Sequence, residues 1–242
     1  MERIVSAQNE RIRKLTKLHQ KKDRDASGLF LVEGEHLIQE ALKAGIVREI
    51  FYDKDCPFPF APATCVSAPV LTKLSGNVSA AHWIAVCSQP DLTCEQPQRV
   101  LMLDGVQDPG NLGTLIRTAV SFGFDEVLCS AGCADFYNDK TVRSTQGALF
   151  HLPVRRLDLA AAAGQLQAEG FLIVATSLQE SRTMREIPAS AKIALVLGNE
   201  GQGVSKEMLA AADACVRIEM RGFESLNVAV AGGILMYHFR QS

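Results

Sequence analysis

Leu101-Met-Leu-Asp-Gly-Val-Gln-Asp-Pro-Gly-Asn-Leu-Gly-Thr-Leu-Ile-Arg-Thr-Ala119 reads as a buried strand, a tight polar turn and a helix. Val100 to Leu103 form an unbroken apolar run, and Asp104 to Gly110 carry turn residues. Asn111 suits the N-cap, because its side-chain carbonyl can accept from a free N–H of the first turn. Leu112, Leu115, Ile116 and Ala119 recur with helical period on one face. Arg117 falls off that stripe, where on local pattern alone a solvated surface arginine is the more frequent case and a functional one the rarer.

Two further strand–turn–helix units lie toward the C-terminus. Ile193 to Leu197 run apolar into Gly198, Gly201 and Gly203, and Ser205 is placed to cap a helix. Val216 to Met220 read as another strand, followed by a turn at Gly222 and a helix opening near Ser225. Further strands are expected at Glu126 to Ser130, Val154 to Leu157 and Phe171 to Thr176, with helices between them. Such alternation implies an α/β unit with a parallel sheet covered on both faces. Ligands in these folds bind at the carboxyl ends of strands, where the glycine and amide residues of this chain collect.

The glycines are spaced G-x-x-G-x-G, which is neither the dinucleotide order nor a phosphate-binding Walker loop. A nicotinamide-dependent oxidoreductase is therefore disfavoured. Glycine here lets backbone approach a ligand closely. No Cys–His or Ser–His–Asp constellation is recoverable, and no general base stands out. The seven cysteines form no disulfide framework or zinc spacing, so they read as free thiols of a reducing cytoplasm, with no metal site. No run approaches the roughly 18 apolar residues of a membrane span. Nor does Met-Glu-Arg-Ile-Val-Ser resemble a secretory signal.

Residues 1–88 read as a smaller α/β unit, 89–98 as a proline-bearing linker, and 99–242 as the second unit. Net charge is only -2, so the chain as a whole does not wrap nucleic acid. Its positive charge is instead concentrated at one end, in Arg11, Arg13, Lys14, Lys17, Lys21 and Lys22. A solvated helix face and a phosphate-tracking patch both fit that run. Asp139 to Phe150 read as helical, with Arg143 and Gln146 outward.

Three segments together resemble the motifs of SpoU/TrmH-type RNA ribose 2′-O-methyltransferases of the SPOUT superfamily. They are Asn111-Leu-Gly-Thr-Leu-Ile-Arg117, Leu197-Gly-Asn-Glu200-Gly-Gln-Gly203, and Ile218-Glu-Met-Arg-Gly with Ser225-Leu-Asn227. Val142-Arg-Ser-Thr-Gln-Gly-Ala-Leu-Phe-His-Leu-Pro153 is similar to a further family segment. The first unit resembles the ribosomal-protein-like RNA-binding domain of that family, through Asn9-Glu-Arg-Ile-Arg-Lys-Leu15 and Phe30-Leu-Val-Glu-Gly34.

The resemblance implies a trefoil-knotted α/β domain, a topology that general folding rules make rare. It also implies S-adenosylmethionine as cofactor, RNA as substrate with large-subunit ribosomal RNA foremost, and a homodimer through the knotted domain. Transfer RNA, or a non-catalytic ribosome-associated role, is the alternative. Arg117, Asn111, Glu200, Ser225 and Asn227 carry over as catalytic or site-organising residues, with Glu200 and Asn111 expected to hold Arg117. Thr176, Ser177, Gly198, Gly203, Ile218, Met220 and Leu226 carry over as cofactor contacts. The N-terminal basic residues and Arg143 carry over as RNA contacts. Glu219 stands where the family commonly has proline, and Gly232 and Gly233 stand in place of alanines, which puts the expected dimer face in question.

Overall fold

The computed structural model describes residues 3–75, 82–179, 181–221 and 225–240. Gly222, where the sequence places the turn of the third motif, lies outside them. The chain divides into two units, one of residues 1–91 with 137–151, the other of residues 92–136 with 152–242.

The first unit opens with α1 (Glu10–Thr16), a single 3-10 turn, and α2 (Lys21–Ser27), which Gly28 ends at φ +66°. Then come β1 (Leu29–Glu33), α3 (Glu35–Lys43), β2 (Val47–Asp53), β3 (Thr64–Val66), α4 (Ala68–Ser75) and β4 (Trp83–Ser88). The strands form one sheet in the order β1-β4-β2-β3. Ile12, Leu18, Phe51, Val66, Val70, Leu74 and Ile84 make a buried cluster beneath it. The Ser67 hydroxyl donates to the carbonyl of Val5, joining the N-terminal strand-like residues to the start of α4.

The second unit continues with β5 (Arg99–Asp104), α5 (Pro109–Ser121) and β6 (Glu126–Cys129). The chain then runs through α6 (Asp139–Thr145), which packs within the first unit, although the sequence places it in the second. There Asp139 accepts from His19 at 3.2 Å, His151 meets Glu40 at 3.1 Å, and the Phe30 ring packs tilted against Tyr137 and Phe150. The remaining elements are β7 (Val154–Arg156), α7 (Leu159–Ala168), β8 (Leu172–Thr176), β9 (Arg182–Thr183), β10 (Ile193–Gly198), α8 (Lys206–Ala211), β11 (Ala214–Arg217) and α9 (Val228–Phe239).

Among its described residues seven strands pair, all parallel, in the order β7-β6-β5-β10-β8-β11-β9. Every residue of β10 is buried, as a strand covered on both faces requires. Val100, Met102, Ala194 and Val196 face α7 and α8. On the opposite face α9 packs against α5 and β10 so closely that a Cβ at Gly232 would lie 2.4 Å from Leu115 and 2.7 Å from Leu197. Packing within the chain thus accounts for Gly232, without reference to a dimer face.

Three boundaries differ from the sequence expectation, the first being the helix read over Asp139 to Phe150, which ends at Thr145 where Gln146 turns to φ +50°. Asp108, not Asn111, caps α5, accepting from the Asn111 amide at 2.9 Å with Pro109 at the first helical position. Proline's fixed φ favours that earlier start. The last long strand is Ala214–Arg217 rather than Val216 to Met220, because its outer partner is only two residues long. Beyond Arg217 the backbone has no ladder to join.

Arg99 holds the rear of this sheet. Its buried guanidinium donates to the carbonyls of Phe239, Gln98, Ala191 and Ser190, so the end of α9 and the approach to β10 share one cation. Burial pulls its pKa down while Asp125 opposes the shift. Arg99→Ala leaves buried carbonyls unpaired and is expected to cost about 2–4 kcal/mol in denaturant unfolding. A loss under about 0.5 kcal/mol would contradict this role.

Candidate functional site

The carboxyl ends of β8, β10 and β11 open into one cleft of about 520 Å³. Parallel α/β sheets take their ligands at the carboxyl ends of the strands. Thr176, Ser177, Gly198, Gly203, Ile218, Met220 and Leu226 all line it, together with Glu200 and Ser225. Sequence reasoning also missed several lining residues, among them Gln179, Lys206 and Arg217. No spacing marked them, since they reach the cleft from a loop, from the start of a helix and from the last residue of β11.

The glycine-rich loop is shaped by contact of backbone with backbone. A Cβ on Gly198 would stand 2.1 Å from Gly203 and Val204, so only glycine lets the loop fold back on the strand. Asn199 and Gly203 exchange two backbone hydrogen bonds at 2.9 Å, with Gly203 at φ +72°. The Asn199 side chain accepts from the amides of Gly201 and Gln202 and donates to the Gly105 carbonyl at 2.8 Å. Ser205 caps α8 through Met208, and its own amide reaches Asp104. The second motif is thereby locked to the first.

Side chains complete the lock. Asn227 caps α9 by accepting from the amides of Ala229 and Val230, and its Nδ2 donates to Asn111 Oδ1 at 3.0 Å. Asn111 Nδ2 in turn donates to Glu200 Oε1 at 3.1 Å. Glu200 also accepts from the amides of Gln107 and Asp108. Partial burial works to raise the Glu200 pKa, but these three donors outweigh it and hold the carboxyl below its usual value. The carboxylate is thus the form this arrangement selects.

Arg117 stands apart. It is exposed on α5, does not line the cleft, and among the described residues its guanidinium makes no hydrogen bond or ion pair. The expectation that Glu200 and Asn111 hold Arg117 is corrected here: their polar atoms are engaged with the turn 107–108 and with Asn227. Ser225 is exposed at the cleft wall, two residues before the cap of α9.

The basic candidates all fall in the first unit. Arg11 pairs with Glu49 at 2.6 Å, Lys14 with Glu10 and Lys21 with Asp25. Among the described residues Arg13, Lys17 and Lys22 form no ion pair. Arg143, though distant in sequence, shares a small niche with His19, bringing it to the same unit. The described residues contain no cluster of three or more His, Cys, Asp or Glu side chains arranged to hold a metal. None of their helices is long and apolar enough to cross a membrane.

The SpoU rRNA methylase family model matches residues 98–237. The chain belongs to the SpoU rRNA methylase family. An MRM3-like substrate binding domain matches residues 9–85. The chain is 42% identical to the 23S rRNA (guanosine(2553)-2′-O)-methyltransferase RlmP of Bacillus subtilis, across 99% of this chain and 100% of that one. Among solved structures it resembles an AdoMet-bound rRNA methyltransferase from Sinorhizobium meliloti, with TM-score 0.87 and 29% identity over 98% of this chain and 96% of that one. It also resembles an RNA 2′-O ribose methyltransferase, with TM-score 0.84 and 31% identity over 98% and 97% of the two chains.

Proposed function

We infer that this chain transfers a methyl group from S-adenosylmethionine to a ribose 2′-hydroxyl of RNA, and that the RNA is large-subunit ribosomal RNA. One observation carries the inference: a single cleft collects residues from the second and third family motifs, and two amides and one carboxylate tie both of these to the first. The full-length likeness to a 23S rRNA methyltransferase supports the choice of RNA.

The cleft suits the cofactor. Its volume of about 520 Å³ is that of a small-molecule site. Leu197, Val216, Ile218, Leu226 and Leu235 give it apolar walls for a flat base, and the exposed main chain after Gly198 gives it donors and acceptors. When bound, S-adenosylmethionine supplies an already activated methyl group as the electrophile. Thr176, Ser177, Gly198, Gly203, Ile218, Met220 and Leu226 hold it, and Ser225 shapes the wall.

The chain must then make a ribose hydroxyl attack. A guanidinium cannot serve as base near neutrality, since its pKa exceeds about 12. Arg117 instead grips a phosphate beside the target ribose and orients the 2′-hydroxyl, favouring its alkoxide-like form. Having no partner among the described residues, its donors are available for RNA. Asn111, Glu200 and Asn227 fix the mouth of the helix that carries it. Arg13, Lys17, Lys22 and Arg143 of the first unit follow the RNA backbone, with Arg11, Lys14 and Lys21 adding charge once their carboxylate partners yield. A chain with these tasks works in the cytoplasm, and its larger domain is the knotted one of its family.

The protein is a homodimer. Helix α9 carries apolar residues on two faces: Leu235, Met236 and Phe239 are buried, while Val230, Ile234 and Tyr237 are exposed, as is Val120 of α5. A helix of that kind is covered on both sides, and a second copy supplies the cover. Sedimentation equilibrium is expected to return twice the chain mass of 26.3 kDa, and a monomer at micromolar concentration would contradict it.

With radiolabelled cofactor and an in vitro transcript of large-subunit ribosomal RNA, Arg117→Ala is expected to lose about 100-fold or more in rate. Arg117→Lys fails similarly, because lysine lacks the planar fork. Transfer near wild type by Arg117→Ala would refute the role, and label appearing only in transfer RNA would refute the substrate.

A further inference from the structure

We propose that Arg156 is a positioning residue for methyl transfer: it holds the loop that backs the first-motif turn, and so sets the place of Asn111 and Glu200. The proposal deepens the methyltransferase reading and rests on it.

Strand β7 pairs with β6 so that Arg156 lies opposite Cys129, at the foot of the loop 130–136. Its guanidinium gathers that loop's carbonyls. Nη1 donates to Ser130 at 2.7 Å and to Ala131 and Cys133 at 3.0 Å, and Nη2 donates to Ala134 at 2.8 Å. The ring of Phe136 lies 4.8 Å from its central carbon. Four carbonyl oxygens turned toward one point repel one another unless a cation sits among them. A rigid fork of N–H donors fills that place.

With its carbonyls turned inward, the loop presents its other groups to the motif. The Ala134 amide donates to the Val106 carbonyl at 2.9 Å, and the Ser130 amide to Leu103 at 3.0 Å. The Ser130 hydroxyl accepts from the Gly105 amide at 2.9 Å, and the Cys133 thiol donates to Leu103. The same turn is gripped from the far side by Asn199 at Gly105 and by Glu200 at Gln107 and Asp108. It is therefore held between two loops. One belongs to the family motifs, and the other is ordered by Arg156. Arg156 does not line the cofactor cleft, so its influence passes through the turn alone.

The test compares wild type, Arg156→Ala and Arg156→Lys in three measurements. These are methyl transfer to the large-subunit rRNA transcript, calorimetric binding of S-adenosylmethionine, and hydrogen exchange of the peptides covering 101–108 and 130–136. Arg156→Ala is expected to lower kcat by about 10- to 100-fold, while cofactor affinity stays within about twofold of wild type. Exchange should quicken in both peptides and not across the sheet. Arg156→Lys should fall between, since one ammonium cannot bridge four carbonyls. Unchanged kcat with unchanged exchange would overturn the proposal. So would loss of cofactor affinity in step with kcat, which marks a general loss of structure. If Arg156→Ala does not fold, Arg156→Lys is judged by the same criteria. If wild type is inactive on that RNA, the functional reading fails first, and the exchange measurement still decides whether Arg156 holds the turn.

Discussion

Asn111 stands between Asn227 and Glu200, donating to one and accepting from the other, and the rest of the larger unit is arranged around that exchange. The three residues belong to segments far apart in the chain. None of them could hold its position alone, because each is exposed or half-exposed and so competes with water. Single hydrogen bonds of this kind contribute only about 1 kcal/mol. What makes them hold is that the side chains of Asn227 and Glu200 also close a piece of backbone, while Asn111 is anchored by its own amide on Asp108. Asn227 caps α9, Asn111 sits in the first turn of α5, and Glu200 takes two amides of the preceding turn. A side chain that satisfies orphan helix donors and also reaches a second segment costs little extra order.

Three arginines in the same unit show how burial divides the labour. Arg99 is buried and spends every visible contact on carbonyls at the rear of the sheet. Arg156 is exposed at its edge yet fully engaged by one loop. Arg117 is exposed and has no partner among the described residues. The guanidinium is the same in all three, so the surroundings decide which is left to meet an anion from outside.

Much of this was legible in the sequence. Apolar runs ending in glycine and amide residues located β5 and β10 and the helices that follow β5 and the third-motif turn. The parallel sheet followed from the alternation. The residues carried over as cofactor contacts do meet in a single cleft, because main chain at strand ends is placed by the sheet itself. Other features have no local signature. Asp108 displaced Asn111 as cap because proline set the helix start. Ile218 and Met220 left the strand because β9 is too short to pair with them. Segment 137–151 joined the first unit through His19, Glu40 and Phe30, contacts that span more than 100 positions of the chain and leave no periodic trace. The N-terminal charges fit either a solvated helix face or a phosphate-tracking patch, and their run did not show that Arg11, Lys14 and Lys21 each meet a carboxylate.

The central claim is that main chain folded tightly after β10 makes the cofactor site. Calorimetric titration of S-adenosylmethionine into wild type and Gly198→Ala tests it most directly. A Cβ at that position would collide with Gly203 and Val204 at 2.1 Å, so the loop must open. The account predicts one cofactor bound per wild-type chain and no measurable binding by a folded Gly198→Ala. Absence of heat with wild type, or equal affinity in the two proteins, would contradict it.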